Sequence, residues 1–293
     1  MKDTVRISLI QMASEQAVYN PGNRDINVEK IIGHLEDEGR GTDLLVFPEL
    51  AITGYVPLRG YLPELKSRFW GVSEDARNSP ALKRIQNVVS ELETVCVVGF
   101  SERSLVKYET YNSAGLFEPS RPMRVVRKMH IPTEENHYFT PGSSVEVFET
   151  KIGRLGIAIC YDFLFPEMIR ILALKGAEMI IIIANVLDFG NFRTMNHVIP
   201  IARAIENQVH VIFCNGCTAF KTGKHEMRLL GDSKAINSLG EIVAQADHEQ
   251  ECVVCGTLTE DQLRRGASFL SVFRERRPTS YGPLLEPLRG SWE

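Results

Sequence analysis

The sequence predicts an α/β protein with a mixed sheet or two sheets. Three observations carry this. Apolar runs of strand length, bounded by turn signals, recur along the chain. Helical patterns separate several of them in the first two thirds, as in chains that feed parallel strands. Hairpin signals replace helices towards the end. The length of 293 residues holds one α/β domain as readily as two average ones, and no composition break, repeat or low-complexity segment marks a boundary.

The elements follow in order. Residues 5–10 form the first apolar run. Residues 27–39 carry Val28, Ile31, Ile32 and Leu35 at the spacing of one helix face. Residues 44–47 are a short strand stopped by Pro48, and 81–92 repeat the helical pattern. Runs at 95–100 and 113–117 read as strands, and 124–126 as a strand leading into Arg127 and Lys128. The run 155–159 ends at Cys160. A helix over 166–176 then opens on proline and closes on glycine, the usual asymmetry of helix ends. Strands at 179–184 and 209–215 flank a short amphipathic helix over 199–208. Runs 234–237 and 241–245 meet through Ser238-Leu239-Gly240-Glu241, a hairpin signal.

Composition excludes several classes. The net charge of -4 and the short, interrupted basic clusters at Arg264-Arg265 and Arg274 to Arg277 speak against nucleic acid, which needs a clustered basic face. No stretch approaches the roughly 18 apolar residues of a membrane helix, and the first apolar run is too short for a signal-peptide core. A cytoplasmic protein with reduced cysteines is expected. Two C-x-x-C pairs, Cys214/Cys217 and Cys252/Cys255, have the spacing of zinc ligands. The second lies in ECVVCGTL, which reads as a strand. Its two sulfurs would face opposite sides, so no metal is expected there.

Three residues follow separate strand ends, where sites form in open α/β sheets. Glu49 stands in FPELAITGY, just past the strand 44–47, with no local structural reason for its charge. Glu167, in the second Phe-Pro-Glu, falls in a first helical turn, where the helix dipole accounts for it. Lys128 is either a solvated edge residue or a cation held beside an oxyanion. Cys160 is either a small core residue or a nucleophile. A lysine and a helix start nearby would lower its pKa. The histidines at 130, 137 and 197 could reach it only through folding.

Taken together and in order, these motifs resemble the nitrilase superfamily of carbon–nitrogen hydrolases. FPELAITGY is similar to its glutamate motif. RKMHIP with Glu135 and Phe139-Thr140-Pro141-Gly142 is similar to its lysine motif, and LGIAICYDFLFPE to its cysteine motif. Residues 202–207, 231–233 and 276–278 extend the likeness. The resemblance implies a four-layer α-β-β-α sandwich over residues 1–270. A tail at 271–293 would pack on a neighbouring subunit of a homodimer or larger homo-oligomer. It implies a triad of Glu49, Lys128 and Cys160, assisted by Glu135 rather than Glu134. It also implies an oxyanion contact from the Tyr161 backbone N–H, and no metal or organic cofactor. Tyr55, in the turn after the glutamate, and Asn185, after the strand 179–184, are further candidate substrate-binding residues.

The substrate is less constrained. The C-Y-D-x-x-F-P-E form resembles amidase branches rather than plant-type nitrilases. Phe163-Leu164 replaces basic residues found there in carbamoylases of amino acids, so an apolar pocket wall is expected. A small, uncharged aliphatic amide fits best. An N-carbamoyl amine, a small nitrile and a non-catalytic binding role are the alternatives. Asp188, in the loop 185–192, is a candidate for holding an amine.

Overall fold

The computed structural model describes residues 1–56, 62–132, 134–222, 225–246, 250–269 and 271–286. Two six-stranded sheets stack face to face, with helices on both outer faces: the expected α-β-β-α sandwich. The first sheet holds β1 (Thr4–Gln11), β2 (Leu44–Val46), β3 (Val95–Arg103), β4 (Thr110–Glu118), β5 (Arg121–Arg127) and β14 (Cys252–Thr259). Its order is β14-β1-β2-β3-β4-β5. The second holds β6 (Val147–Thr150), β7 (Gly153–Ile159), β8 (Met179–Ala184), β9 (His210–Asn215), β12 (Lys234–Ile236) and β13 (Ile242–Gln245), in the order β13-β12-β9-β8-β7-β6. A separate hairpin pairs β10 (Ala219–Thr222) with β11 (His225–Arg228).

Both sheets share a plan. Three central strands run parallel, β1-β2-β3 in one and β7-β8-β9 in the other, and antiparallel strands flank them. β2 and β8, at the middle of each sheet, are wholly apolar because both their faces are covered. In β8, Met179, Ile181 and Ile183 face the other sheet, while Ile180, Ile182 and Ala184 face the helices. In β2 and the residue after it, Leu44 and Val46 face the other sheet and Leu45 and Phe47 face outward. The alternation is the period of two of a pleated strand.

The outer layers are α1 (Asn23–Glu38) and α3 (Pro80–Glu91) on the first sheet, and α4 (Pro166–Leu174) and α5 (Phe192–Asn207) on the second. Two further helices are α2 (Pro63–Val72) and α6 (Glu260–Phe269). The helix α5 starts seven residues earlier than the sequence pattern suggests and runs straight through Pro200. Proline deprives the carbonyl four residues back of its helical donor. That carbonyl belongs to Asn196, and the buried Lys234 Nζ lies 3.4 Å from it as a replacement donor.

On β14, Cys252 is half-buried and Cys255 exposed, the alternation expected of a strand. Phe273 of the tail lies under the Arg170 guanidinium of α4 in the same chain. The last seven residues of the tail, 287–293, lie outside the described residues.

Candidate active site

Glu49 is placed by a turn that only one neighbour permits. Pairing of β2 with β3 extends one residue, through the Phe47 N–H to the Val97 carbonyl at 2.8 Å. Pro48 has no N–H and ends the ladder. The chain then turns through Leu50, whose φ of 50° is rare for a residue with a side chain. Gly99 of β3 lies directly beneath. A Cβ there would stand 2.4 Å from the Pro48 carbonyl oxygen and 2.6 Å from the Leu50 nitrogen. The turn therefore lies flat on the sheet, and Glu49 points inward, 1% exposed. Its Oε1 accepts from Lys128 Nζ at 2.9 Å and from Asn112 Nδ2 at 2.7 Å. Its Oε2 is buried and has no hydrogen-bond partner.

Lys128 follows β5, which runs in the direction of β2 because two antiparallel pairings separate it from β3. The strand ends thus come out on the same side. The Lys128 N–H donates to the Asn112 carbonyl at 2.8 Å, continuing the ladder, and its side chain is fully buried. Nζ bridges Glu49 and Glu135, the latter at 2.8 Å. Burial alone would push this ammonium down. The carboxylates of Glu135 and Glu49 outweigh it and hold Lys128 well above the ordinary lysine value. Burial raises the Glu135 carboxyl, and Lys128 opposes the rise. Glu134 is exposed, so the choice between the two adjacent glutamates falls on Glu135.

Cys160 begins where the β7–β8 ladder stops at Ile159. It takes φ of 47° and opens a 3₁₀ turn over Cys160–Leu164, separate from α4. Asp162, fully buried, anchors this turn. Its Oδ2 accepts from the Ile159 N–H at 3.1 Å, and its Oδ1 from the His130 N–H at 2.8 Å and His130 Nδ1 at 2.9 Å. One carboxylate thus ties the cysteine turn to the loop carrying Lys128. His130 is committed to this contact and stacks on Phe165 at 3.7 Å, which takes it out of the role of a base for Cys160.

The expected lowering of the thiol pKa is wrong in sign. Burial pushes Cys160 well above the ordinary thiol value, and the charges of Glu49 and Glu135 push the same way. Lys128 and the Asn185 backbone N–H pull it down and lose. One ammonium faces two carboxylates, and the desolvation of the site adds to their effect. The resting group is therefore a neutral thiol.

Asn185 follows β8 and its Nδ2 donates to the Glu49 carbonyl at 2.5 Å, linking the two sheets at the site. Gly216 makes room for it, since a Cβ there would lie 2.2 Å from Asn185 Oδ1. Tyr55 is half-buried. Burial, then the carboxylates of Glu135 and Glu49, raise its phenol well above the ordinary value. Tyr161 sits edge-on against Phe165 at 5.3 Å. A cavity of about 380 Å³ opens over this group, with Tyr55, Glu135, Cys160, Tyr161 and Asn185 in its wall. Glu49 and Lys128 lie behind it, bonded to Asn185 and Glu135. All seven residues singled out from the sequence therefore converge. Asp188 does not join them, because its carboxylate is paired with Arg193.

Sequence reasoning missed Asn112, which holds both the Glu49 carboxylate and the Lys128 backbone. Its signal was a polar side chain immediately before the run 113–117. It also missed Phe192 and Met195 of α5, which complete the cavity wall, and the anchoring carboxylate of Asp162.

Comparison with known proteins gives the family and the fold. The family model described as carbon-nitrogen hydrolase matches residues 6–267. The chain is 30% identical over 271 residues to a probable nitrilase of Schizosaccharomyces pombe, covering 89% of this chain and 93% of that one. It is 30% identical over 265 residues to an N-carbamoylputrescine amidase of Arabidopsis thaliana, covering 85% and 86%. A solved carbon-nitrogen hydrolase from Helicobacter pylori G27 has the same fold, with a TM-score of 0.82 at 24% identity over 97% of this chain and 99% of that one. A thiol, an ammonium and two carboxylates gathered at strand ends between stacked sheets, together with these matches, mean that the chain belongs to the carbon-nitrogen hydrolase family.

Proposed function

We propose that the protein hydrolyses a small aliphatic amide to its acid and ammonia through a thioester on Cys160. The observation that carries the reading is a buried carboxylate oxygen, Glu49 Oε2, that has no hydrogen-bond partner, on a carboxylate whose charge acts on the protonated Cys160 thiol. Such an oxygen is free to accept a proton, and its charge is felt at the sulfur.

The steps follow from the residues. Glu49 takes the Cys160 proton as sulfur attacks the amide carbon. The carbonyl π electrons move to oxygen, where Lys128 Nζ and the Tyr161 backbone N–H hold the negative charge. Glu135 keeps Lys128 charged, so the ammonium is present before the oxyanion forms. The tetrahedral intermediate collapses, Glu49 gives its proton to the nitrogen, and ammonia leaves. Glu49 then takes a proton from water as the water attacks the thioester carbon. Collapse expels the sulfur, which regains its proton, and the acid departs.

The test is ammonia release from aliphatic amides, N-carbamoyl amines and nitriles, with the native protein beside Cys160→Ala. Amide turnover that falls by at least about 10³-fold in the variant is expected, since loss of a covalent nucleophile removes most catalysis. Turnover that survives the substitution would remove Cys160 from the mechanism. Turnover of nitriles or N-carbamoyl amines alone would replace the amide as substrate.

A further inference from the structure

We infer that the site takes an uncharged acyl group of about five to eight carbons and rejects carboxylates; this rests on the amide-hydrolase reading above. The cavity volume, about 380 Å³, is more than twice the roughly 150 Å³ that encloses a benzene molecule. An acetyl group would leave most of it unfilled. Three elements line it with apolar side chains. Phe163 and Leu164 come from the cysteine turn, Val186 and Leu187 from the loop after β8, and Phe192 and Met195 from α5. A substrate that fills this wall removes apolar surface from water on both sides.

The charges point the same way. The buried cluster behind the cavity holds two carboxylates, Glu49 and Glu135, against one ammonium, Lys128. Among the described residues of the wall there is no lysine, arginine or histidine. Arg193, next to Phe192, is taken by Asp188. Among the described residues, a substrate carboxylate would thus lose its water, meet no cation in the wall, and stand before two carboxylates and one ammonium. A neutral chain meets none of these costs.

The experiment compares kcat/KM for acetamide, butanamide, hexanamide and 3-phenylpropanamide with that for hexanedioic acid monoamide. The expected result is a rise of about fourfold per added methylene up to hexanamide, the factor for moving a methylene out of water. The monoamide should fall at least 100-fold below hexanamide. Met195→Trp, which shrinks the cavity, should cut the hexanamide-to-acetamide ratio at least tenfold. A series that is flat or falls with length, or a carboxylate that is tolerated, overturns the inference while leaving the hydrolase intact. The absence of ammonia from every amide overturns the hydrolase reading and this inference with it.

Discussion

A thiol surrounded by two carboxylates and one ammonium cannot rest as a thiolate, so its reactivity must be switched on in place. The local backbone carries strain at this spot. Leu50, beside Glu49, and Cys160 itself both hold positive φ, and neither is glycine. Non-glycine residues in that region persist only where the surroundings force them. Here the forcing groups are visible: Gly99 under the first turn, and Asp162 behind the second. Replacing Glu49 by glutamine separates the two effects of its charge. Turnover should fall by about 10²- to 10⁴-fold, because the amide side chain cannot accept the proton. The thiol should titrate at lower pH, because a negative neighbour that disfavours the thiolate has gone. Alkylation of Cys160 by iodoacetamide, followed across pH by peptide mass, reads the second effect independently of turnover. A variant that keeps native turnover would remove Glu49 as the base. A profile displaced upward would contradict the charge arrangement. Identity was legible in the sequence at this scale, since each group stands just past a strand. The sign of the thiol shift was not, because it depends on how many carboxylates converge from distant segments.

At the scale of elements, the apolar runs located the central strands to within two residues at each end, except that β3 runs three residues past its run 95–100. The strand 179–184 matches β8, and the hairpin at 238–241 joins β12 and β13. Elements whose faces serve something other than a core were harder to read. The first half of α5 carries Phe192 and Met195 towards the cavity and Asn196 towards Asp232, and Pro200 follows directly, so the helix start lacks a clean apolar stripe. The polar contacts between elements were equally illegible. Asp162 joins the cysteine turn to the lysine loop, and no spacing in the sequence announces that. Asp162→Asn tests its part as a positioning residue. The amide keeps one acceptor oxygen but turns an NH₂ group towards a backbone donor, so the two loops should shift relative to each other. A displacement on the order of 1 Å near reacting groups costs about 10²-fold in rate. We expect kcat to fall by about that factor while KM changes less than about threefold, with the circular dichroism spectrum preserved. Unchanged kcat would reduce Asp162 to a stability role. Asp162→Ala should lose at least as much, having no acceptor at all.

The whole molecule depends on two sheets held in register, and some of the bonds that cross between them start from buried side chains of β9. Cys214 of β9 donates its S–H towards the Ile10 and Val46 carbonyls of the first sheet, at 3.4 and 3.2 Å. That gives one cysteine of the first C-x-x-C pair a place in the fold. His210, also on β9 and fully buried, lies with Nε2 3.1 Å from the Thr259 carbonyl at the end of β14. The carbonyl can only accept, so Nε2 carries the proton and the ring is neutral with Nδ1 unpartnered. Burial lowers the His210 pKa from 6.5 to about 4, against the opposing pull of the Thr259 carbonyl and Glu178. The unfolded chain takes up this proton near the ordinary value, and the folded one resists it. The contribution is therefore complete above about pH 6.5 and is lost as the pH falls towards 4. One pKa unit corresponds to about 1.4 kcal/mol, so the folded protein should lose about 2 kcal/mol between pH 7 and pH 5 through this residue alone. Other groups titrate in the same window, and His210→Gln isolates the share. Glutamine can donate to the same carbonyl and carries no titrating group. Urea unfolding at pH 7 and pH 5 should give a stability difference smaller by about 2 kcal/mol in the variant than in the native protein. Equal differences in the two proteins would mean that His210 gains its proton without leaving the fold, and that the sheets part or admit water at β9 more easily than their packing implies.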